Sequence, residues 1–361
     1  MKIVLCVDSL VKGGAERVIA NLANFLVDRH EVKILLLDKV IEYPIDKRVF
    51  ITAVNSSLKH RKPLVYFERL RLMKNYFKDT EADVVVSFLP RTNYWVLASA
   101  PKYSKVVMSE RNDPKIIYRT LRRKLAVAKL YPKAKGFVFQ TKEAQEYYEE
   151  NKIIKKGAKK TIILNPVDPS FLVQPFDGER KKEIVTMGRL SRQKGQANLI
   201  KAFAGLKDDF PEFKLYIYGE GPLRKELEEL IRHCDLEGRV FLPGKVDDVK
   251  SKVYKAAAFV LPSLFEGMPN ALLEALAMGV PSISTDCPCG GPKAVILNGK
   301  NGLLVPVGDV EKLEEAMRKV VGSKELQRKF SDNSEALRKK LDPKVVNAKW
   351  ESFLQSVSDI V

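Results

Sequence analysis

The chain is poor in the side chains that most often hold metals or cross-links. It has four cysteines and three histidines in 361 residues. Among Cys6, Cys234, Cys287 and Cys289 the only close pair is Cys287-Pro-Cys289, a C-x-C with no second pair to complete a zinc set. No metal is therefore expected, and so few thiols suit a reducing compartment. No apolar run reaches the ~18 residues of a bilayer-spanning helix. Residues 1–8 carry one lysine and a short apolar run ending at Asp8, which reads as a first strand rather than a secretory signal. The expected location is the cytoplasm. There is no G-x-G-x-x-G fingerprint, and no helix-turn-helix, zinc-finger or RNA-binding signature, so nucleic acid is not the expected partner.

Positive charge is abundant and unevenly spread. The net charge is +18, and residues 1–165 hold 33 Lys and Arg against 17 Asp and Glu. The remaining residues hold 30 against 28. Such asymmetry points to an anionic partner for the N-terminal half. Two stretches concentrate it. Lys59–Lys78 reads KHRKPLVYFERLRLMKNYFK, and Arg119–Lys135 reads RTLRRKLAVAKLYPKAK. Basic residues interleaved with aromatic and aliphatic ones suit an anionic membrane surface. Each stretch alone is also an ordinary amphipathic helix with a basic polar face. The charge of the whole half favours the membrane.

A length of 361 residues suggests two domains. Apolar runs at Lys2–Val7, Val32–Leu37, Val84–Phe88, Lys105–Ser109, Gly136–Gln140 and Thr161–Leu164 read as strands. Helical patterns lie at Ala15–Leu26, Val65–Lys78, Arg91–Ala100, Ile116–Leu130 and Lys142–Asn151. The alternation predicts an α/β fold with a parallel, doubly wound sheet. Asn165–Lys182, rich in Pro, Gly and charge, reads as a linker. The expected layout is 1–165, a linker at 166–182, a second domain at 183–341, and a C-terminal helix at 342–361 that packs back on the first domain. In the second half, strands are expected at Glu183–Met187, Lys214–Tyr218, Arg239–Leu242, Phe259–Leu261, Ser282–Thr285 and Gly302–Val305.

Loops after these strands carry the chemistry. Gly13-Gly14 opens the first helix, where glycines admit close approach of a ligand and a helix N-terminus favours an anion; the same pair also makes a tight turn with no ligand. Arg189 and Lys194 flank a short loop suited to diphosphate oxygens. Gly219 and Gly221 open another loop. Glu266 and Glu274 bracket the turn of SLFEGMPNALLE, eight residues apart, where open α/β sheets place ligands. Cations for phosphate together with carboxylates for sugar hydroxyls describe a nucleotide sugar.

FEGMPNALLEALAMGVP, with GGAER near the start, GRLSRQKG at 188–195 and YGEGPLR at 218–224, resembles the retaining glycosyltransferases of family 4 over nearly the whole chain. The resemblance implies the GT-B fold, two Rossmann-like domains facing a central cleft. By that resemblance Glu266 contacts hydroxyls of the donor sugar, and the backbone of Gly267, Met268 and Pro269 lies along the sugar and diphosphate. Asn270 and Ala271 offer amides to phosphate, and Glu274 accepts from the ribose. Arg189 and Lys194 neutralise the leaving group. Gly14 lets the N-terminal domain close on the phosphates, Gly219 belongs to the donor site, and Val246 borders the base. Many relatives carry a His after the strand corresponding to Lys105–Ser109; here Arg111 stands there, preceded by Glu110. Both are candidates for the acceptor or sugar pocket, and an ordinary loop ion pair is the alternative. With no His in a candidate catalytic loop, a same-face mechanism is expected, in which a departing phosphate oxygen helps deprotonate the acceptor.

The expected function is transfer of a hexose or N-acetylhexosamine from a nucleotide sugar, UDP-linked, to a lipid-linked saccharide, with no metal or other cofactor, by a protein peripheral on the cytoplasmic membrane face. The alternatives are a sugar-nucleotide epimerase or phosphorylase on the same fold, or a non-catalytic basic membrane-binding protein.

Overall fold

The computed structural model describes residues 1–54 and 62–360, arranged as two compact units. One unit is Met1–Pro166 with Pro343–Val361, and the other is Val167–Asp342. Of the basic stretch, Lys59, His60 and Arg61 lie outside the described residues.

The first unit begins β1 (Lys2–Val7), α1 (Gly14–Leu26), β2 (Glu31–Leu36), β3 (Phe50–Ala53), α2 (Lys62–Thr80), β4 (Val84–Phe88) and α3 (Pro90–Ser99). It continues β5 (Val106–Ser109), α4 (Pro114–Ile117), α5 (Leu121–Leu130), β6 (Gly136–Phe139), α6 (Lys142–Glu150) and β7 (Lys159–Ile162). The seven strands are parallel, in the order β3-β2-β1-β4-β5-β6-β7. β1 and β4 are buried almost throughout, as central strands covered on both faces must be. β3 is absent from the sequence reading. It has four residues, alternates in exposure and sits at the edge, so it lacks the continuous apolar run that marks its neighbours.

The second unit runs β8 (Lys181–Met187), α7 (Gln196–Ala204), β9 (Lys214–Tyr218), α8 (Arg224–His233), β10 (Val240–Gly244), α9 (Val249–Val253), β11 (Ala256–Leu261) and α10 (Asn270–Ala277). Then come β12 (Ser282–Thr285), β13 (Leu303–Val305), α11 (Val310–Val321), α12 (Lys324–Asp332) and α13 (Glu335–Lys340). Its six parallel strands follow β10-β9-β8-β11-β12-β13. In each sheet the order reverses beside the first strand, between β1 and β4 and between β8 and β11. These reversals are the switch points at which α/β sheets open a crevice.

Two sequence expectations differ from the structure. The helix expected over Ile116–Leu130 is two helices, α4 and α5. Tyr118 leaves the helical region and Thr120 is extended, which turns the Tyr118 ring into the core. The stretch read as a linker belongs from Val167 to the second unit. Phe171 is buried, Tyr254 Oη donates to the Gln174 carbonyl at 2.8 Å, and Phe176 packs edge-on against Tyr254. A Pro-rich segment makes few ladder bonds, so side chains from elsewhere fasten it.

The last helix, α14 (Pro343–Ser358), belongs to the first unit. Val346, Trp350, Leu354 and Val357 are buried in that unit's core, and Trp350 stacks on Phe88 at 5.4 Å. No described helix is long and apolar enough to cross a membrane.

Candidate active site

In the second unit, two loops meet at the switch point. The loop after β8 makes a tight 3-10 turn over Arg192–Lys194 before α7 starts. The loop after β11 carries Ser263–Glu266 and leads into α10. Leu264 N donates to the Gln193 carbonyl at 2.8 Å, and Gln193 Nε2 donates to the Phe265 carbonyl at 3.0 Å. These bonds fix the loops against each other. Lys194 Nζ then reaches Glu266 Oε1 at 2.6 Å, and Ser263 Oγ donates to the same oxygen at 2.7 Å. Glu266 is 7% exposed, so a buried carboxylate is held by one cation and one hydroxyl.

The floor of the turn comes from β12 and its loop. Thr285 Oγ1 and Cys287 Sγ both donate to the Ser263 carbonyl. Burial raises the Cys287 thiol to about 11, so it stays protonated and acts as a packed donor. Gly291 lies so close that a Cβ there would stand 1.7 Å from the Gly267 carbonyl oxygen. Beyond the turn, Met268 and Pro269 are buried, and α10 starts at Asn270 and Ala271. Glu274 lies inside α10, 8% exposed.

Beside this turn a cavity of 640 Å³ opens at the carboxyl ends of β8, β9 and β10. Arg189, Gly219 and Val246 all line it, with Gly188 and Lys245. Arg189 is exposed, and its guanidinium has no partner among the described residues. Gly219 has φ +133°, and a Cβ there would meet the Gly188 carbonyl oxygen at 2.0 Å. Only glycine lets β8 and β9 end this close together. The structure thus gathers Arg189, Gly219 and Val246 at one cavity, with the Lys194–Glu266 pair and the α10 N-terminus at the neighbouring switch point. A free guanidinium, a partnered ammonium and buried carboxylates suit a ligand bearing both phosphate and hydroxyl groups. Among the described residues no three His, Cys, Asp or Glu side chains gather as a cation site.

The candidates in the first unit are arranged differently from expectation. Glu110 and Arg111, expected at a ligand pocket, are both buried, at 2% and 8% exposure. Asn93 Nδ2 donates to Glu110 at 2.8 Å and Tyr131 Oη at 2.9 Å, with Tyr118 Oη at 3.3 Å. Tyr148 joins through Tyr118 at 3.0 Å. Burial outweighs these donors and raises the Glu110 carboxyl to about 7. Arg111 Nη1 donates to Asn165 Oδ1 at 2.5 Å, and its guanidinium lies over Phe88. Burial lowers Arg111 to about 9, still cationic at neutral pH. Both side chains are therefore held by partners inside the first unit. Around Glu110 the turn at Tyr118 closes three tyrosines over the end of β5. Sequence reasoning missed this cage, because Tyr118, Tyr131 and Tyr148 follow no period.

Gly14 stands at the start of α1, as expected, but that helix N-terminus is covered from within. The Glu16 carboxylate occupies the space a Gly13 Cβ would need, at 2.2 Å. Burial raises the Glu16 pKa, while the Ala15 and Glu16 amides favour its charge.

Two parallel doubly wound units in one chain, with cations and buried carboxylates gathered at the switch point of one, are the GT-B architecture of glycosyltransferases. Residues 12–171 match the model for Glycosyltransferase Family 4, and residues 172–337 match Glycosyl transferases group 1. The chain belongs to the family 4 glycosyltransferases. It is 29% identical to the N-acetylgalactosamine-N,N'-diacetylbacillosaminyl-diphospho-undecaprenol 4-alpha-N-acetylgalactosaminyltransferase of Campylobacter jejuni, over 94% of this chain and 96% of that protein. A second Campylobacter jejuni relative is 28% identical over 99% of each chain. It is the GalNAc-alpha-(1->4)-GalNAc-alpha-(1->3)-diNAcBac-PP-undecaprenol alpha-1,4-N-acetyl-D-galactosaminyltransferase. Among solved structures, Anabaena HepE in complex with UDP is similar with a TM-score of 0.80 at 18% identity, over 99% of this chain and 100% of that one.

Proposed function

We propose that this glycosyltransferase moves a hexose or N-acetylhexosamine from a UDP-sugar to a lipid-linked saccharide, with retained anomeric configuration, at the cytoplasmic face of a membrane. The observation that carries the reading is the Lys194–Glu266 contact of 2.6 Å beside the cavity that Arg189 lines. The names of the Campylobacter relatives, both acting on undecaprenol-linked saccharides, support the acceptor class. The UDP complex of a structure with the same fold supports the donor class.

In this reading the base and ribose occupy the cavity by Val246 and Gly219, and Glu274 accepts from ribose hydroxyls. The diphosphate meets Arg189, Lys194 and the amides of Asn270 and Ala271. Glu266 accepts from hydroxyls of the donor sugar. The bond from the anomeric carbon to the diphosphate oxygen breaks, and its electron pair stays on that oxygen. The acceptor hydroxyl attacks from the same face and passes its proton to the phosphate. Arg189 and Lys194 stabilise the charge that develops, so the reaction needs no metal.

Contact with the membrane is assigned to the first unit. Phe67 and Tyr66 on α2, and Leu121 and Leu125 on α5, are 60–73% exposed. Arg122, Arg123 and Lys124 lie beside the two leucines. Basic and apolar side chains on one exposed helix suit an anionic interface.

The test is transfer of radiolabelled sugar from UDP-sugars to a lipid-linked acceptor by Lys194→Ala, with the anomeric configuration of the wild-type product read by NMR. Loss of transfer and a retained anomer are expected. Unchanged transfer overturns the phosphate role, and an inverted anomer overturns the same-face mechanism. Binding to anionic vesicles should weaken as salt rises; salt-independent binding overturns the membrane assignment.

A further inference from the structure

The first unit holds a cavity that the transfer reaction does not use. It has a volume of 510 Å³ and opens at the amino-terminal ends of β5, β6 and β7, the sheet edge opposite Glu110 and Arg111. Its floor is apolar, with Leu97, Val106 and Ala134 all at most 3% exposed. Its rim is basic. Lys102, Lys133, Lys135, Lys155 and Lys156 all line it, and no acidic residue does.

Lys133 Nζ is used within the fold, donating to the Leu97 carbonyl at 3.2 Å in the last turn of α3. The other four lysines have no side-chain partner among the described residues. Neighbouring lysines do find acceptors. Lys105 donates to the Ser358 carbonyl at 2.6 Å, Lys159 to the Ser356 carbonyl, and Lys160 pairs with Glu149. What sets the four around the cavity apart is that they share one apolar hollow with no acidic residue in its lining.

A helix C-terminus attracts cations, which accounts for Lys102 after α3 and Lys133 after α5. It does not account for Lys155 and Lys156, which lie in the turn between α6 and β7. Uncompensated like charges around one apolar hollow repel each other, and a bound anion relieves that repulsion. A cavity of this size holds a phosphate together with a short apolar body.

We propose that this cavity binds a phosphate-bearing group attached to an apolar body, the lysines taking the phosphate and the floor taking the apolar part. Two sources share that chemistry, an anionic lipid head group and a free organic phosphate. The site is lined by residues of the first unit, shares none with the donor cavity of the second, and does not depend on the transfer reaction.

The experiment is calorimetric titration of the full chain with three probes: monomeric dihexanoyl-phosphatidylglycerol, phenyl phosphate, and zwitterionic dihexanoyl-phosphatidylcholine. Each is measured on wild type, on Lys135→Glu/Lys155→Glu/Lys156→Glu, and on Arg189→Ala as a control for the donor site. An anionic probe should bind wild type and lose about tenfold or more in affinity in the triple variant, as loss of charge-assisted contacts requires. Arg189→Ala should leave that binding unchanged. Binding of phosphatidylglycerol alone identifies a lipid head group, and binding of phenyl phosphate alone identifies a soluble ligand. Binding of both supports the shared chemistry. The proposal is overturned if neither anionic probe binds, if the triple variant binds as wild type does, or if phosphatidylcholine binds equally well. The three lysines are exposed, so Lys135→Gln/Lys155→Gln/Lys156→Gln should melt with wild type and lose the same binding.

Discussion

Arg111 and Asn165 are joined side chain to side chain at 2.5 Å, and the same guanidinium lies 4.5 Å from the centre of the Phe88 ring. Its Nε and Nη2 atoms are buried with no hydrogen-bond partner among the described residues. A buried cation in this position adds little net stability compared with an apolar side chain of its length. Arg111→Met should therefore change unfolding free energy by about 1 kcal/mol or less, whereas Arg111→Ala, which empties the slot against Phe88 and Trp350, should cost about 2–4 kcal/mol. Urea denaturation of the two variants measures the difference, and equal losses would show that charge, not volume, is what the site requires.

Lys194 and Glu266 should behave as one unit. Each single change, Lys194→Met or Glu266→Gln, strands a partner in a poorly solvated site. The double variant strands neither. The coupling between them should be about 1–3 kcal/mol in unfolding free energy. Sugar transfer should stay low in all three variants. A double variant whose stability equals the sum of the two single losses would show that the contact carries no energy.

The Glu110 carboxyl gives the fold a slope with pH. Its pKa is raised from 4.5 to about 7, so between those values the unfolded chain releases a proton that the folded chain keeps. Stability due to this group is therefore greatest at low pH and is lost as pH rises from about 5 to 7. Glu110→Gln, which still accepts from Asn93 and the tyrosines, should flatten that slope. Urea midpoints of both proteins at pH 5, 6 and 7 provide the check, and parallel curves would contradict the assignment.

Gly219→Ala puts a methyl group against the Gly188 carbonyl at a backbone angle that L side chains rarely adopt. It should cost about 1–3 kcal/mol and narrow the cavity behind Arg189. Arg189→Ala should leave stability within about 0.5 kcal/mol, because the side chain is exposed and unpaired. Both variants should bind UDP more weakly, by calorimetry. A pair that separates stability from binding in this way distinguishes the backbone role from the side-chain role.

How far the site could be read in advance depended on which question the residues answered. Central strands such as β1 and β11 announce themselves as continuous apolar runs, and the loops after them fall at the sheet's carboxyl edge by topology alone. That logic grouped the loops of Arg189, Gly219 and Glu266 at one edge, where Lys194 meets Glu266 from 72 residues away, whereas Val246 was implied only by the family resemblance. Position after a strand does not tell which way a side chain turns. Glu110 and Arg111 also follow a strand, and the sequence does not show that Glu110 is bonded by Asn93 and a set of separated tyrosines, or that Arg111 reaches Asn165 and Phe88. Nor does a helix N-terminus reveal its occupant, as Glu16 over Gly13 demonstrates.

Because α14 completes the first unit, that unit is interrupted in the chain by 176 residues, Val167–Asp342. On a ribosome, residues 1–166 emerge first but lack the Trp350, Leu354 and Val357 side chains that fill their core. The second unit, contiguous and made later, has all its residues sooner than its elder does. Synthesis order and folding order are therefore reversed. A nascent chain halted before residue 343 should expose an apolar surface under Phe88 to chaperones, although the whole of the second unit has already been made.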